Sequence, residues 1–112
     1  MEKKFRLSSA EIKQIAPGLG SCIASDMITV GGQRVGYMYR EPPDNSSDSG
    51  WRFLSGEETR EYVDDAGNFA LYDVNTIANY DPGIVPYLDA IVFSAYRRDA
   101  ETLNFEAVPF NG

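Results

Sequence analysis

Residues 35–54 read VGYMYREPPDNSSDSGWRFL, and this stretch encodes two strands with a polar loop between them. In its first part, aromatic residues alternate with other side chains, so Tyr37 and Tyr39 lie on one face of a strand. Residues 42–50 begin with two prolines and continue with small or polar side chains, a composition typical of an exposed loop. The pattern predicts a strand, a surface loop and a second strand in that order.

The second strand, residues 51–54, carries the only tryptophan of the chain. Trp51 and Phe53 are two residues apart, which places both side chains on the same face, and we expect them to enter the core together. Structural roles are therefore predicted for four aromatic residues of the two strands: Tyr37, Tyr39, Trp51 and Phe53.

The rest of the chain alternates short strand patterns with short helix patterns. Strands are predicted where β-branched and aromatic residues cluster, at 21–25, 69–72, 90–97 and 105–109. Helices are predicted after the capping residues Ser8, Ser55, Asp73 and Asp81, at 9–15, 57–63, 74–78 and 82–88. Together these elements predict an α+β fold with a mostly antiparallel sheet, formed by one domain that spans residues 1–112.

The acidic residues are concentrated in one region. Residues 41–89 hold eleven Asp and Glu against two Arg, a net charge of −9, whereas the rest of the chain carries +2. Because aromatic residues are interleaved with these carboxylates, the region can fold and present a negative face. Such a face suits a basic protein partner better than nucleic acid or an anionic membrane.

Conventional catalytic and metal-binding side chains are scarce. The chain has no histidine and one cysteine, Cys22, so it lacks the commonest general base and metal ligand. Cys22 lies in a predicted strand, where a small buried thiol is the usual role. The acids between 57 and 65 do not follow the ligand spacing of a calcium loop. We therefore predict no catalytic residue, no metal and no cofactor.

Neither a membrane role nor a nucleic-acid role is predicted. Nowhere does the chain approach the ~20 apolar residues of a membrane helix, and it opens without an apolar signal segment, so we expect cytoplasmic residence. Its one basic cluster, at residues 3–13, belongs to a protein of net charge −7. The glycine-rich stretches lack the setting of a phosphate loop. A protein is the partner that this composition favours.

Four sequence segments carry a family resemblance. They read VGYMYREPP at 35–43, DSGWRF at 48–53, SGEE at 55–58 and NTIANYDP at 75–82. In these segments the chain resembles the bacterial domain-of-unknown-function family grouped with polymorphic-toxin immunity proteins, the Imm33-like proteins, most strongly over 35–97. The resemblance implies an α+β fold and neutralisation of a toxin by binding it, and it brings no catalytic motif.

The acidic region and the resemblance together predict a non-enzymatic binding module whose partner is a protein, with a basic toxin domain as the expected one. The expected contacts come from the loop 41–50, from the helix and turn at 57–65, and from the segment 75–81. The candidate partner-binding residues are Glu41, Asp44, Asp48, Glu57, Glu58, Glu61, Asp64, Asp65, Asn75, Asn79, Tyr80 and Asp81.

Two alternatives stay open. Asp73 and the segment 75–81 are dense in hydrogen-bonding groups, and a carboxylate- and amide-lined cleft formed by them would favour a small ligand-binding or hydrolytic domain. Capping of nearby backbone amides is the simpler interpretation of the same side chains. An exposed apolar sheet edge around Phe93 or Phe105 would instead favour a housekeeping scaffold or a homo-oligomer, in the simplest case a homodimer.

Overall fold

Six strands form one sheet in the computed structural model, which describes residues 3–111. The strands are β1 (Ser21–Ser25), β2 (Tyr37–Arg40), β3 (Asp48–Leu54), β4 (Phe69–Asp73), β5 (Ala95–Arg98) and β6 (Phe105–Ala107). Their order across the sheet is β4-β1-β3-β2-β5-β6. The β1–β3 pair is parallel and the other four pairs are antiparallel, which confirms the α+β class with a mostly antiparallel sheet.

Short helices connect the strands. The α-helices are α1 (Asp26–Thr29), α2 (Arg60–Asp64) and α3 (Val74–Tyr80), and 3-10 turns cover Ser9–Glu11, Ala66–Asn68 and Pro82–Tyr87. Each α-helix begins directly after a residue whose side-chain oxygen accepts a hydrogen bond from an amide of the first turn, namely Ser25, Thr59 and Asp73. The caps therefore set where these helices begin.

The N-terminal segment is less helical than the sequence predicts. Instead of a helix over 9–15, only the 3-10 turn Ser9–Glu11 forms. The amides of Ile15 and Ala16 donate to Asn75 Oδ1, at 2.8 Å each, rather than to carbonyls one turn back. The predicted helix is wrong because side chains of α3 capture the amides that would have continued it.

Further boundaries also differ from the sequence prediction. The strand predicted at 51–54 begins at Asp48, inside the predicted loop 42–50. The helix predicted at 57–63 begins at Arg60, because the Glu58 carboxylate is held by upstream amides and Thr59 supplies the cap. The strand predicted at 90–97 begins at Ala95, because Phe93 adopts a φ of 76°, which a strand does not allow. The helix predicted at 82–88 is a 3-10 turn over Pro82–Tyr87.

The core lies between one face of the sheet and a helical layer made by α1, α3 and the turn Pro82–Tyr87. Met38 of β2 lies opposite Phe53 of β3 in the register, and both are fully buried. Trp51 is 1% exposed, its ring stacks on Phe53 with centroids 5.9 Å apart, and its Nε1 donates to the Leu88 carbonyl at 3.1 Å. The one polar atom of the tryptophan ring is thus satisfied inside the core.

Candidate functional site

The opposite face of the sheet carries the side chains that alternate with the core residues. The register places Tyr39 and Ile23 beside Arg52, and Leu71 beside Ile23, so these side chains share a face. Leu71 is 71% exposed. We call this surface the open face and define it by Ile23, Tyr37, Tyr39, Arg52, Leu54, Phe69, Leu71 and Arg97.

A buried arginine lies at the centre of the open face. Arg52 is 4% exposed, and its two terminal nitrogens donate to the two oxygens of Asp48 at 2.9 and 2.8 Å. Its Nε donates to Glu41, and Asp44 lies 3.9 Å away. The Arg52 hydrogen bonds hold the pKa of the Asp48 carboxyl well below its usual range. This network joins the loop 41–48 to the sheet.

The same network separates the three acids of that loop by accessibility. Asp48 is shielded by Arg52, whereas the Glu41 side chain is about one-third exposed and the Asp44 side chain is 82% exposed. Of these three predicted partner-binding residues, Asp44 presents the most accessible carboxylate. Asp48 is used inside the protein, and a partner contact for it stays a prediction.

Helix α2 borders the open face on another side. A groove of about 150 Å³ runs between them, and Val63 of α2 lines it together with Tyr39, Glu41 and Arg52 of the strands and their loop. The ring of Tyr62 packs edge-on against Phe69, with centroids 5.9 Å apart. These contacts pack α2 against the sheet and place the carboxylates of α2 beside the open face.

Four acids of this region are exposed: Glu57, Glu61, Asp64 and Asp65. Glu58 is different, because its carboxylate accepts hydrogen bonds from the amides of Ser55 and Gly56 at 2.8 and 2.9 Å. Burial opposes ionisation of Glu58, but the hydrogen bonds outweigh burial and lower its pKa. Glu58 thus ties the start of α2 to the end of β3, while its four neighbours face solvent.

The segment 75–81 has mainly internal contacts. Asn75 and Asn79 hold the N-terminal segment, since their side chains both donate to the Lys13 carbonyl at 2.8 Å. The Tyr80 hydroxyl accepts from the Leu7 amide at 3.0 Å. Asp81 accepts from the Val35 amide and from the Arg98 guanidinium, at 3.0 and 2.9 Å. These contacts favour the capping interpretation over a ligand-binding cleft, and partner contacts for the four predicted residues stay predictions.

An apolar corner lies where the loop 89–94 meets the loop 41–48, and its apolar residues are not among the predicted partner-binding residues. Ile91 is 79% exposed and Phe93 is 60% exposed. The ring of Phe93 packs edge-on against Phe110, 5.2 Å between centroids, and Phe110 packs in turn against Tyr39 at 5.9 Å. Phe93 falls within the strand predicted at 90–97, because periodicity does not reveal a positive φ; in the structure its exposed ring lies in a loop and not at a sheet edge.

Cys22 and the possible metal ligands are the remaining chemistry-bearing groups in the described part of the chain. Cys22 is fully buried, and burial raises the pKa of its thiol far above the usual range, so the reactive thiolate is not accessible. Across residues 3–111, no three side chains of His, Cys, Asp or Glu are grouped so as to hold a metal ion. Among the helices of this part of the chain, none is long and apolar enough to cross a membrane.

Comparison with known proteins identifies a family. Residues 22–108 match the family model described as the Immunity protein Imm33 domain. The match runs from β1 to β6 and includes every residue of the open face, and it confirms the family resemblance seen in the four sequence segments. Comparisons with curated proteins and with solved structures gave no match.

Proposed function

The chain belongs to the Imm33 family of immunity proteins, and we propose that it neutralises a toxin by binding the basic surface of that toxin. The binding is direct and non-enzymatic. Two observations support this mode of action. The thiol of Cys22 is buried and so is not an accessible nucleophile, and the sequence has no histidine to act as a general base. The acidic border of the open face is the proposed binding surface.

One observation carries this proposal: exposed carboxylates border a partly apolar sheet face and outnumber the cations beside them. Around α2, the four exposed acids outnumber the arginines beside them, namely Arg60, which lies 3.6 Å from Asp64 in an exposed pair, and Arg97, which lines a groove with Val63. Across the groove, Asp44 adds a further exposed carboxylate. Surface charges of one sign accelerate association with an oppositely charged protein. The exposed Leu71 and the half-buried Tyr37 and Tyr39 offer apolar area for the contact itself.

The decisive experiment is co-expression with each toxin-like protein encoded beside this gene, and absence of any such neighbour would count against the proposal. We expect the protein to protect cells from one such toxin and to bind a catalytically impaired form of it in vitro. Association should slow as salt rises, because exposed charges are screened beyond about 8–10 Å at physiological ionic strength. A lack of both protection and binding would rule out the proposed function.

A matched pair of double variants tests where the binding surface lies. Glu61→Gln with Asp64→Asn removes two charges beside the open face, and we expect association to slow roughly fivefold. Ala10→Lys with Gln14→Lys changes the net charge by the same amount at exposed positions of the N-terminal segment, which packs on α3. Equal slowing in both double variants would show that net charge, and not the acidic border, governs the encounter.

A further inference from the structure

We propose that Phe93, together with Ile91, is the apolar anchor of this interface and fills an apolar pocket on the toxin that is bordered by Lys or Arg side chains. The inference rests on the proposed function, because it names the residues that the toxin contacts. Hot-spot residues of protein interfaces are usually large side chains that enter a pocket on the partner. Both residues are largely exposed in the free protein.

Backbone conformation is the first argument. Phe93 has a φ of 76°, in the left-handed region where a bulky side chain is a genuine outlier. The conformation is locked, since the Phe93 amide donates to the Arg40 carbonyl at 2.6 Å and the Ser94 amide donates to the Ile91 carbonyl at 3.1 Å. A glycine would fit this backbone without strain. A large exposed aromatic ring at such a position indicates that its side chain serves a purpose other than local folding.

The corner is also rigid. Arg40 joins the two loops, because its Nη1 donates to the Ala90 carbonyl at 2.7 Å and its Nε donates to the Ser49 carbonyl at 2.9 Å. Phe110 supports the Phe93 ring from the side. An anchor that is already held in place loses little conformational entropy on binding, so more of the contact energy appears as affinity.

The charge around the corner indicates which kind of partner binds there. The loops 41–48 and 89–94 contain four carboxylates and no lysine or arginine. Arg40 and Arg52, which flank the first loop, are hydrogen-bonded within the protein. The exposed Asp44 and Asp89 therefore give the rim of this corner a negative charge. A basic toxin surface complements both the apolar centre and the acidic rim.

A second copy of this chain fits the corner less well. A two-fold dimer would place the same patch on both subunits. Asp44 and Asp89 would then face carboxylates of the other copy, and like charges across an interface are unfavourable. The homodimer is therefore an outcome that the experiment must detect, and not the occupant we infer.

The test uses the full chain and the catalytically impaired toxin domain encoded beside the gene, with affinity measured by isothermal titration calorimetry and stability by thermal unfolding. For Phe93→Gly we expect binding at least about 30-fold weaker, with a melting temperature within about 3 °C of the wild type or higher. Phe93→Tyr keeps an aromatic ring and should bind within about threefold of the wild type. Leu103→Gly is the matched control, because Leu103 is another exposed apolar residue with a positive φ, of 65°, and lies outside the open face and the corner; its affinity should stay within about threefold of the wild type.

Each other outcome counts against the inference. Near wild-type affinity for Phe93→Gly overturns it while leaving the proposed function intact, whereas absence of binding by the wild type defeats the proposed function itself. If Phe93→Gly does not fold, the affinity of Ile91→Ser is measured instead. A loss of less than about fivefold for Ile91→Ser overturns the inference. A wild-type dimer in light scattering that Phe93→Gly dissociates would assign the corner to a second copy.

Discussion

The two faces of the same sheet are stabilised by different interactions. On the covered face, Met38, Trp51 and Phe53 pack against the helical layer, and the charged groups near them, Arg40 over the Trp51 ring and the Arg98–Asp81 pair, lie around this apolar cluster. On the open face, the residue between Trp51 and Phe53 is Arg52, a buried cation surrounded by carboxylates. Strand β3 therefore contributes apolar packing to one face and an ion network to the other, because successive side chains of a strand point in opposite directions.

This difference separates the residues that stabilise the fold from those that remain accessible to a partner. Burial of large apolar side chains is the strongest stabilising term for a domain of this size. A face held by an ion network remains accessible at its edges, where Asp44 and the acids beside α2 meet solvent. If this division is correct, substitutions on the covered face will cost stability, and substitutions at the exposed edges of the open face will cost binding.

The largest expected effect is on the covered face. Trp51→Ala removes a buried ring and its hydrogen bond to Leu88, and we expect the free energy of unfolding to fall by about 3–5 kcal/mol. Leu71→Ala on the open face should change it by less than about 0.5 kcal/mol. Urea unfolding followed by circular dichroism measures both. Equal losses for the two variants would break the comparison.

A smaller effect is expected from the centre of the open face. Arg52→Met leaves the shielded Asp48 carboxylate without its partner, and we expect a loss of about 3 kcal/mol in the free energy of unfolding. Arg60→Met removes an arginine whose side chain is exposed, and its ion pair should be worth less than about 1 kcal/mol. If Arg52→Met were as stable as the wild type by chemical denaturation, the network would not support this face.

The third effect is the smallest and depends on pH. Because the folded-state pKa of Asp48 lies below the usual value of 3.8, the unfolded chain binds a proton at this site before the folded protein does. The stabilisation is therefore complete above about pH 5 and is lost as the pH falls below 4. As the pH falls from neutral to acidic, the free energy of unfolding of the wild type should decrease. We expect this decrease to be about 2 kcal/mol smaller in Asp48→Asn. Parallel pH profiles for the two proteins would contradict this assignment.

Sequence patterns predicted much of the fold where local rules act. The Asp73 and Asp81 caps and the strand at Ser21–Ser25 form as predicted, and the edge strand predicted at 105–109 forms over Phe105–Ala107. Caps and alternation depend on residues that are close in sequence, so one chain is enough to read them. The Ser55–Glu58 spacing predicted the wrong helix start. Glu58 does accept a hydrogen bond from the Ser55 amide, but Thr59 is the cap and the helix begins at Arg60.

Contacts between distant residues decided the candidate site. The sequence determined the composition of the site, namely an acidic region interleaved with aromatic residues, and the family to which the chain belongs. Only the tertiary structure decided which acids are free, since Asp48 is bound to Arg52 and Asp81 to Arg98 while Asp44 remains exposed. The exposure of Phe93 was also decided there, because a hydrogen bond to Arg40 holds it in a backbone conformation that no local preference of phenylalanine would produce.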